Sequence, residues 1–382
     1  MGMFHLEMAA MALVFKTHFK EMQDIGSLSF WVEELGRDAN KLWNDHDSTK
    51  VKDFNQCQDF FDTILDGYLL SIICRFFCPG SRDVNTFHTS LPGMDAAALE
   101  AGIQELAERF INFNITPAFR NPEGGDDRDY AYENMMLFAQ HGLLLRTFRR
   151  AVKTGDAGLM LNALSIITLW FQGSSNNLYA SECLRLTANL REIWPEDLVN
   201  HWMENCLVNL SGKRKGFMTL DGLNEHIIRE LKDTAPENVT EASLQQWRLV
   251  RSPLIMLLSA LKKIVAGQFE GNIFDFHSSS VSAWPDITVV ANKMLSENHV
   301  EFCNNRLNQC NDAVRDLYAS GICALGLCET ITKLKADMTE EDEFDDDDAE
   351  EEARELSDSW SDTVSENSNS YSDSSELWMD DL

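Results

Sequence analysis

Cations, prolines and strand signals are what this sequence is short of. Eight prolines in 382 residues leave long stretches without a helix breaker, since proline removes a backbone donor and clashes inside a helix. No alternation of apolar and polar residues is sustained, and no Asn-Gly or Asp-Gly turn joins two β-branched runs, so the commonest strand hairpins are not expected. The nine cysteines, at positions 57, 74, 78, 183, 206, 303, 310, 323 and 328, are odd in number and never spaced CxxC. They read as reduced core residues of an intracellular protein, not as a disulfide framework or a zinc site. No run of 18 uncharged apolar residues is present, and the apolar start MGMFHLEMAAMALVF has no basic leader. Neither a membrane span nor a secretion signal is therefore read. A GxGxxG after a strand and a G-x-S-x-G elbow are also missing, so no cofactor or hydrolase site is read.

Charge divides the chain. Lys and Arg number 32 against 62 Asp and Glu, a net of -30. Residues 337–382 hold 20 Asp or Glu and one Arg, a net of -19, which leaves -11 for residues 1–336. Such a balance repels phosphate backbones, so any contact with DNA needs a local basic patch. The acidic segment cannot bury enough apolar surface to offset chain ordering and is expected to be a disordered tail. Phe344, Trp360, Tyr371, Leu377, Trp378 and Leu382 are spaced through it, a composition that suits segments folding on a partner. Ser359, Thr363 and Ser370 each have an acidic residue three positions on, the pattern of an acid-directed kinase.

What the sequence has in quantity is helical periodicity, and the fold class expected is all-α, a bundle of roughly ten or more helices over 1–336. Phe4, Met8, Met11, Phe15, Phe19 and Met22 form one stripe, with Lys16, His18 and Lys20 placed elsewhere. The chain thus opens inside a helix, and a missing N-terminal neighbour is expected. A short helix follows near Phe30–Leu35, and then apolar pairs recur every four residues from Phe54 to Phe77 until Pro79-Gly80 stops them. Asp95 caps a helix carrying Leu99, Ile103, Leu106 and Phe110. Tyr132–Val152 makes a helix ending at Gly155, Asp156 caps the next, and Gly173 closes it. Further helices start near Asn176, at Pro195 as a first-turn proline, and near Asp221. The pattern stays helical over Thr240–Val265, and after a loop at 267–284 Pro285 opens the last helices, which end near Lys335.

Three constellations carry whatever chemistry there is. Arg146, Arg149, Arg150 and Lys153 place four cations within about two helical turns, and Lys213, Arg214 and Lys215 make a basic turn between helices. Either offers charge to a phosphate backbone or to the acidic tail, and either is as readily a solvated face. The run Ser211–Gly216 is not a phosphate-binding loop, because Leu207 stands where the motif needs glycine and Arg214 where it needs Ser or Thr. Among carboxylates, Glu182, Asp221 and Glu225 are the catalytic candidates, with Glu230 and His226 nearby. Glu225 and Arg229 are spaced to pair along one helix face. His141 and His201, in apolar helices, read as core histidines, and no metal site is expected.

Five segments in order, GMFHLEMAAMA, KDFNQCQDFF, FAQHGLLLRTFRRAVKTGD, LWFQGSSNNLYASECLRLTANL and NCLVNLSGKRKGFMTLDGLNEHIIRELK, fall between residues 2 and 232. Together they resemble the domain-of-unknown-function family DUF6589, over 2 to about 265. That resemblance implies a fungal or metazoan protein linked to mobile elements, whose longer members carry an upstream Gly-Asp-Gln-Leu-Thr segment similar to a transposase strand. It makes Glu182, which follows the stretch from Asn177, the candidate last carboxylate. Without the upstream acid, the expectation is a truncated or domesticated, transposase-like protein that is inactive alone and nuclear. The alternative is a non-enzymatic protein whose tail binds basic partners such as histones or transcription factors.

Overall fold

The structure is a computed structural model, and it describes residues 2–20, 26–43, 53–90, 93–110, 128–174, 176–210, 212–233, 245, 249, 283–303, 306 and 314–326. The expectations for the Thr240–Val265 helix (save positions 245 and 249), the 267–282 loop and the acidic tail lie outside these residues. The chain divides into two compact units. One is residues 1–207 with 219–221 and 281–327, and the other is 208–218, 222–280 and 328–382.

The all-α expectation is met: more than ten α-helices, against one pair of two-residue strands, occur among the described residues. In the first unit α1 is Met3–His18, α2 Leu28–Glu34, α3 Ala39–Leu42, α4 Phe54–Phe77, α5 Val84–Ser90 and α6 Ala96–Phe110. There follow α7 (Tyr130–Thr154), α8 (Ala157–Gly173), α9 (Asn177–Ala188) and α10 (Glu196–Asn205). A π-helical turn at Asn189–Ile193 joins the last two. The strands β1 (Leu207–Val208) and β2 (Met218–Thr219) precede α11 (Leu220–Asp233), and α12 (Trp284–Ser296) and α13 (Leu317–Gly326) complete the order.

Local chemistry sets most boundaries. Ser27, Asp53, Asp129 and Asp156 each accept a first-turn amide with the side chain, satisfying a donor that a helix start would otherwise leave open. Gly155 closes α7 in the left-handed region. Pro195 stands at the N-cap of α10, one residue ahead of the first-turn position expected of it.

The core of the first unit is aromatic. Phe138 on α7 meets Phe61 and Tyr68 of α4 and His18 of α1 with ring centroids 5.0, 5.1 and 5.1 Å apart. Tyr68 accepts the Trp31 indole N–H at 2.8 Å, so the buried indole has its acceptor. The α1 stripe needs correction. Leu6, Glu7, Ala10, Met11, Val14, Phe15 and His18 are buried, while Phe4 and Met8 are only half-buried. His18, which the stripe left outside, is inside because a partner for its ring lies on α7.

Helices α8 and α13 pack backbone to backbone. A Cβ on Gly321 would strike the Leu169 carbonyl, and one on Gly173 would come within 2.5 Å of the Leu317 oxygen. Only glycine admits that approach, since any side chain would force the helices apart.

Candidate functional site

The four cations of α7, spaced i, i+3, i+4 and i+7 along one side of the helix, have different surroundings. Arg146 spans two carboxylates of α4, with Nη2 3.0 Å from Asp62 Oδ1 and Nη1 2.5 Å from Asp66 Oδ1. Arg149 joins α1 to α4, with Nε 3.0 Å from Glu7 Oε1 and Nη1 2.7 Å from Asp62 Oδ2. Burial alone would lower the Arg146 pKa, but hydrogen bonding and charge from Asp66 and Asp62 outweigh it and raise it. Arg150 is exposed and Lys153 half-buried. Two of the four guanidinium and ammonium groups thus tie three helices together, and their charge is matched at short range by Glu7, Asp62 and Asp66.

Next to them two imidazoles meet in the core. His18 Nε2 and His141 Nδ1 are 2.8 Å apart, and His141 also lies edge-on to Trp170 at 4.7 Å between centroids. Burial pushes the His141 pKa down to about 3 and lowers that of His18 as well, with His141 and Lys20 adding to the latter. Both are therefore neutral at physiological pH and the contact is one neutral hydrogen bond. His141 is a core histidine as expected. His201 is not: it is exposed on α10, a helix with no buried residue, where its carbonyl accepts from Asn205 Nδ2 at 2.7 Å.

The candidate carboxylates sit in different settings. Glu182, on α9, is about one-third exposed and lies 3.9 Å from Arg185 one turn on, a loose pair on one helix face. Asp221, in the first turn of α11, reaches back to the start of the chain. Its Oδ2 accepts the Phe4 amide at 2.8 Å and the His5 amide at 3.3 Å, and the His5 ring Nδ1 lies 3.2 Å away. Gly2, the N-cap of α1, has no side chain to offer those amides. Asp221 therefore does for α1 what a capping residue normally does from the next position in sequence. Burial would raise the Asp221 pKa, but hydrogen bonds from His5, Thr219 and the His5 and Phe4 amides outweigh it and lower it.

This gives a first prediction. Asp221→Ala should cost about 1–2 kcal/mol, the range for losing a good N-cap, measured by urea denaturation near pH 7. The sign with pH follows from the lowered folded pKa. The Asp221 contribution is complete above the unfolded carboxylate value, 3.8, and is lost as pH falls through the lower folded one. Below that point wild type and variant should converge.

In the second unit, Glu225 is half-buried on α11. The tip 209–216 of the hairpin carries Lys213, Arg214 and Lys215, all exposed. Among the described residues no group of three or more His, Cys, Asp or Glu is arranged to hold a metal ion. The arrangement offers charge and shape more than a reacting centre. What sequence reasoning missed is the Asp221–α1 cap and the His18–His141 contact, because both join residues more than 100 positions apart.

No helix among the described residues is long and apolar enough to cross a membrane. None of the curated proteins and none of the solved structures compared with the chain matches it. Residues 1–273 match the family of unknown function DUF6589, and the chain belongs to that family.

Proposed function

We propose that this chain is a helical protein of transposase-like descent that carries out no nuclease or strand-transfer chemistry by itself. The observation that carries the reading is the engagement of Asp221. Two-metal phosphoryl transfer needs carboxylates converging on ions about 3.5–4 Å apart. Here Asp221 Oδ2 is committed to the amides that open α1, and Glu182 stands beside Arg185 on an exposed helix face. The only sheet among the described residues is the two-residue pair β1–β2, too short to aim acids from several strands at one point. The descent rests on the resemblance of Asn177 to Glu182 to the Asn-rich stretch ahead of a last catalytic glutamate in some transposases.

The purified chain, incubated with duplex and single-stranded DNA and Mg2+ or Mn2+, is expected to cleave no faster than its Glu182→Gln variant. Metal-dependent cleavage that Glu182→Gln abolishes, with circular dichroism unchanged, would overturn the proposal.

A further inference from the structure

The hairpin tip of the second unit is built to present cations. Asn209 organises it: its Oδ1 accepts the Gly212 amide at 2.9 Å and its Nδ2 donates to the Lys213 carbonyl at 2.8 Å. The Gly216 amide donates to the same Lys213 carbonyl at 3.1 Å. Gly212 has φ +67, a backbone conformation that glycine adopts without a Cβ penalty. The turn is thus fixed by main-chain geometry, and its side chains are left outside. Lys213, Arg214 and Lys215 are exposed, and Leu210, close by in sequence, is 54% exposed.

We infer that this tip is the docking site for the chain's own anionic segment, residues 337–382. Charge complementarity is the first argument: 20 acids and one Arg face a triplet of cations. Leu210 is the second, because a bare polyanion has no use for an exposed leucine, whereas Trp360, Leu377 and Trp378 are spaced among the acids. Tethering is the third. A covalently attached ligand acts at an effective concentration on the order of millimolar, which compensates for exposed ion pairs worth about 0–1 kcal/mol each. A nucleic-acid strand lacks that advantage and meets the repulsion of a chain at net -30. While docked, the segment withholds the three cations from other anions and withholds its own acids from basic partners. The inference does not depend on transposase-like descent, and a nuclease result in either direction leaves it standing.

Arg354 is the one tryptic site within 337–382, and it reports docking in the full-length chain. In dilute, low-salt solution, the triple variant Lys213→Glu, Arg214→Glu, Lys215→Glu is expected to be cut at Arg354 about threefold faster than wild type, as release of a two-thirds docked population requires. About 0.5 M salt should speed wild-type cleavage similarly, because screening then acts within a few ångströms. Zero-length carbodiimide cross-linking of wild type should join Lys213 or Lys215 to carboxylates of 337–382, and it decides the matter if the variant fails to fold. Equal cleavage rates in a folded variant, or tail cross-links that fall only elsewhere, would overturn the inference. So would protection that grows with protein concentration, which would mean that the segment docks on a second copy.

Discussion

Asp129→Ala is expected to destabilise the first unit by about 3–5 kcal/mol, the range for breaking a buried ion pair from one side. Asp129 is 2% exposed and serves three elements at once. Its Oδ1 caps α7 through the Tyr132 amide at 3.2 Å, its Oδ2 accepts the Cys303 amide at 2.9 Å, and both oxygens accept from Arg306 Nε at 3.0 and 2.9 Å. Arg306, with a side chain 9% exposed, also donates to the carbonyls of Asn298 and Glu301 at 2.9 and 2.7 Å. Truncating the acid strands a buried guanidinium, opens the α7 N-terminus and frees one amide. Arg306→Met should cost less, since Asp129 keeps its two amide donors. In a double-mutant cycle by guanidinium unfolding, the two losses should sum to more than that of the double variant by about 0.5–3 kcal/mol.

Phe138→Ala should cost a similar amount, about 3–5 kcal/mol, as expected when a fully buried aromatic leaves a cavity. Phe138 is 1% exposed and touches rings from α1 and α4 together, so the site cannot close by moving one neighbour. Arg150→Ala, on the exposed side of the same helix, should change stability by less than about 0.5 kcal/mol. Thermal unfolding of the two variants side by side separates the faces of α7. Comparable losses would mean that α7 is not packed as described.

Where side-chain pattern and backbone chemistry act within one turn, the sequence was readable. The limits of α4, Phe54–Phe77, follow from its four-residue apolar recurrence and the Pro79-Gly80 that stops it. The junction of α7 and α8 follows from Gly155 and the Asp156 cap. Periodicity reports that a face is apolar but not what stands opposite, and there the reading ran out. His18 looked external because nothing near it in sequence announces His141. Arg146 and Arg149 looked like a cationic patch because Glu7, Asp62 and Asp66 are remote along the chain. The π-helical turn at Asn189–Ile193 has no composition signal of its own. Asp221 was legible as a carboxylate near a helix start, and illegible as the cap of a helix 216 positions earlier.

That last contact bears on how the chain comes off the ribosome. During synthesis α1 has its opening amides unmet until residue 221 has been added, and at about 5–20 residues per second that is a wait on the order of ten seconds or more. Throughout it, α1 is an apolar, uncapped segment in search of company, so a nascent chain stalled before residue 221 is the form a chaperone would hold longest.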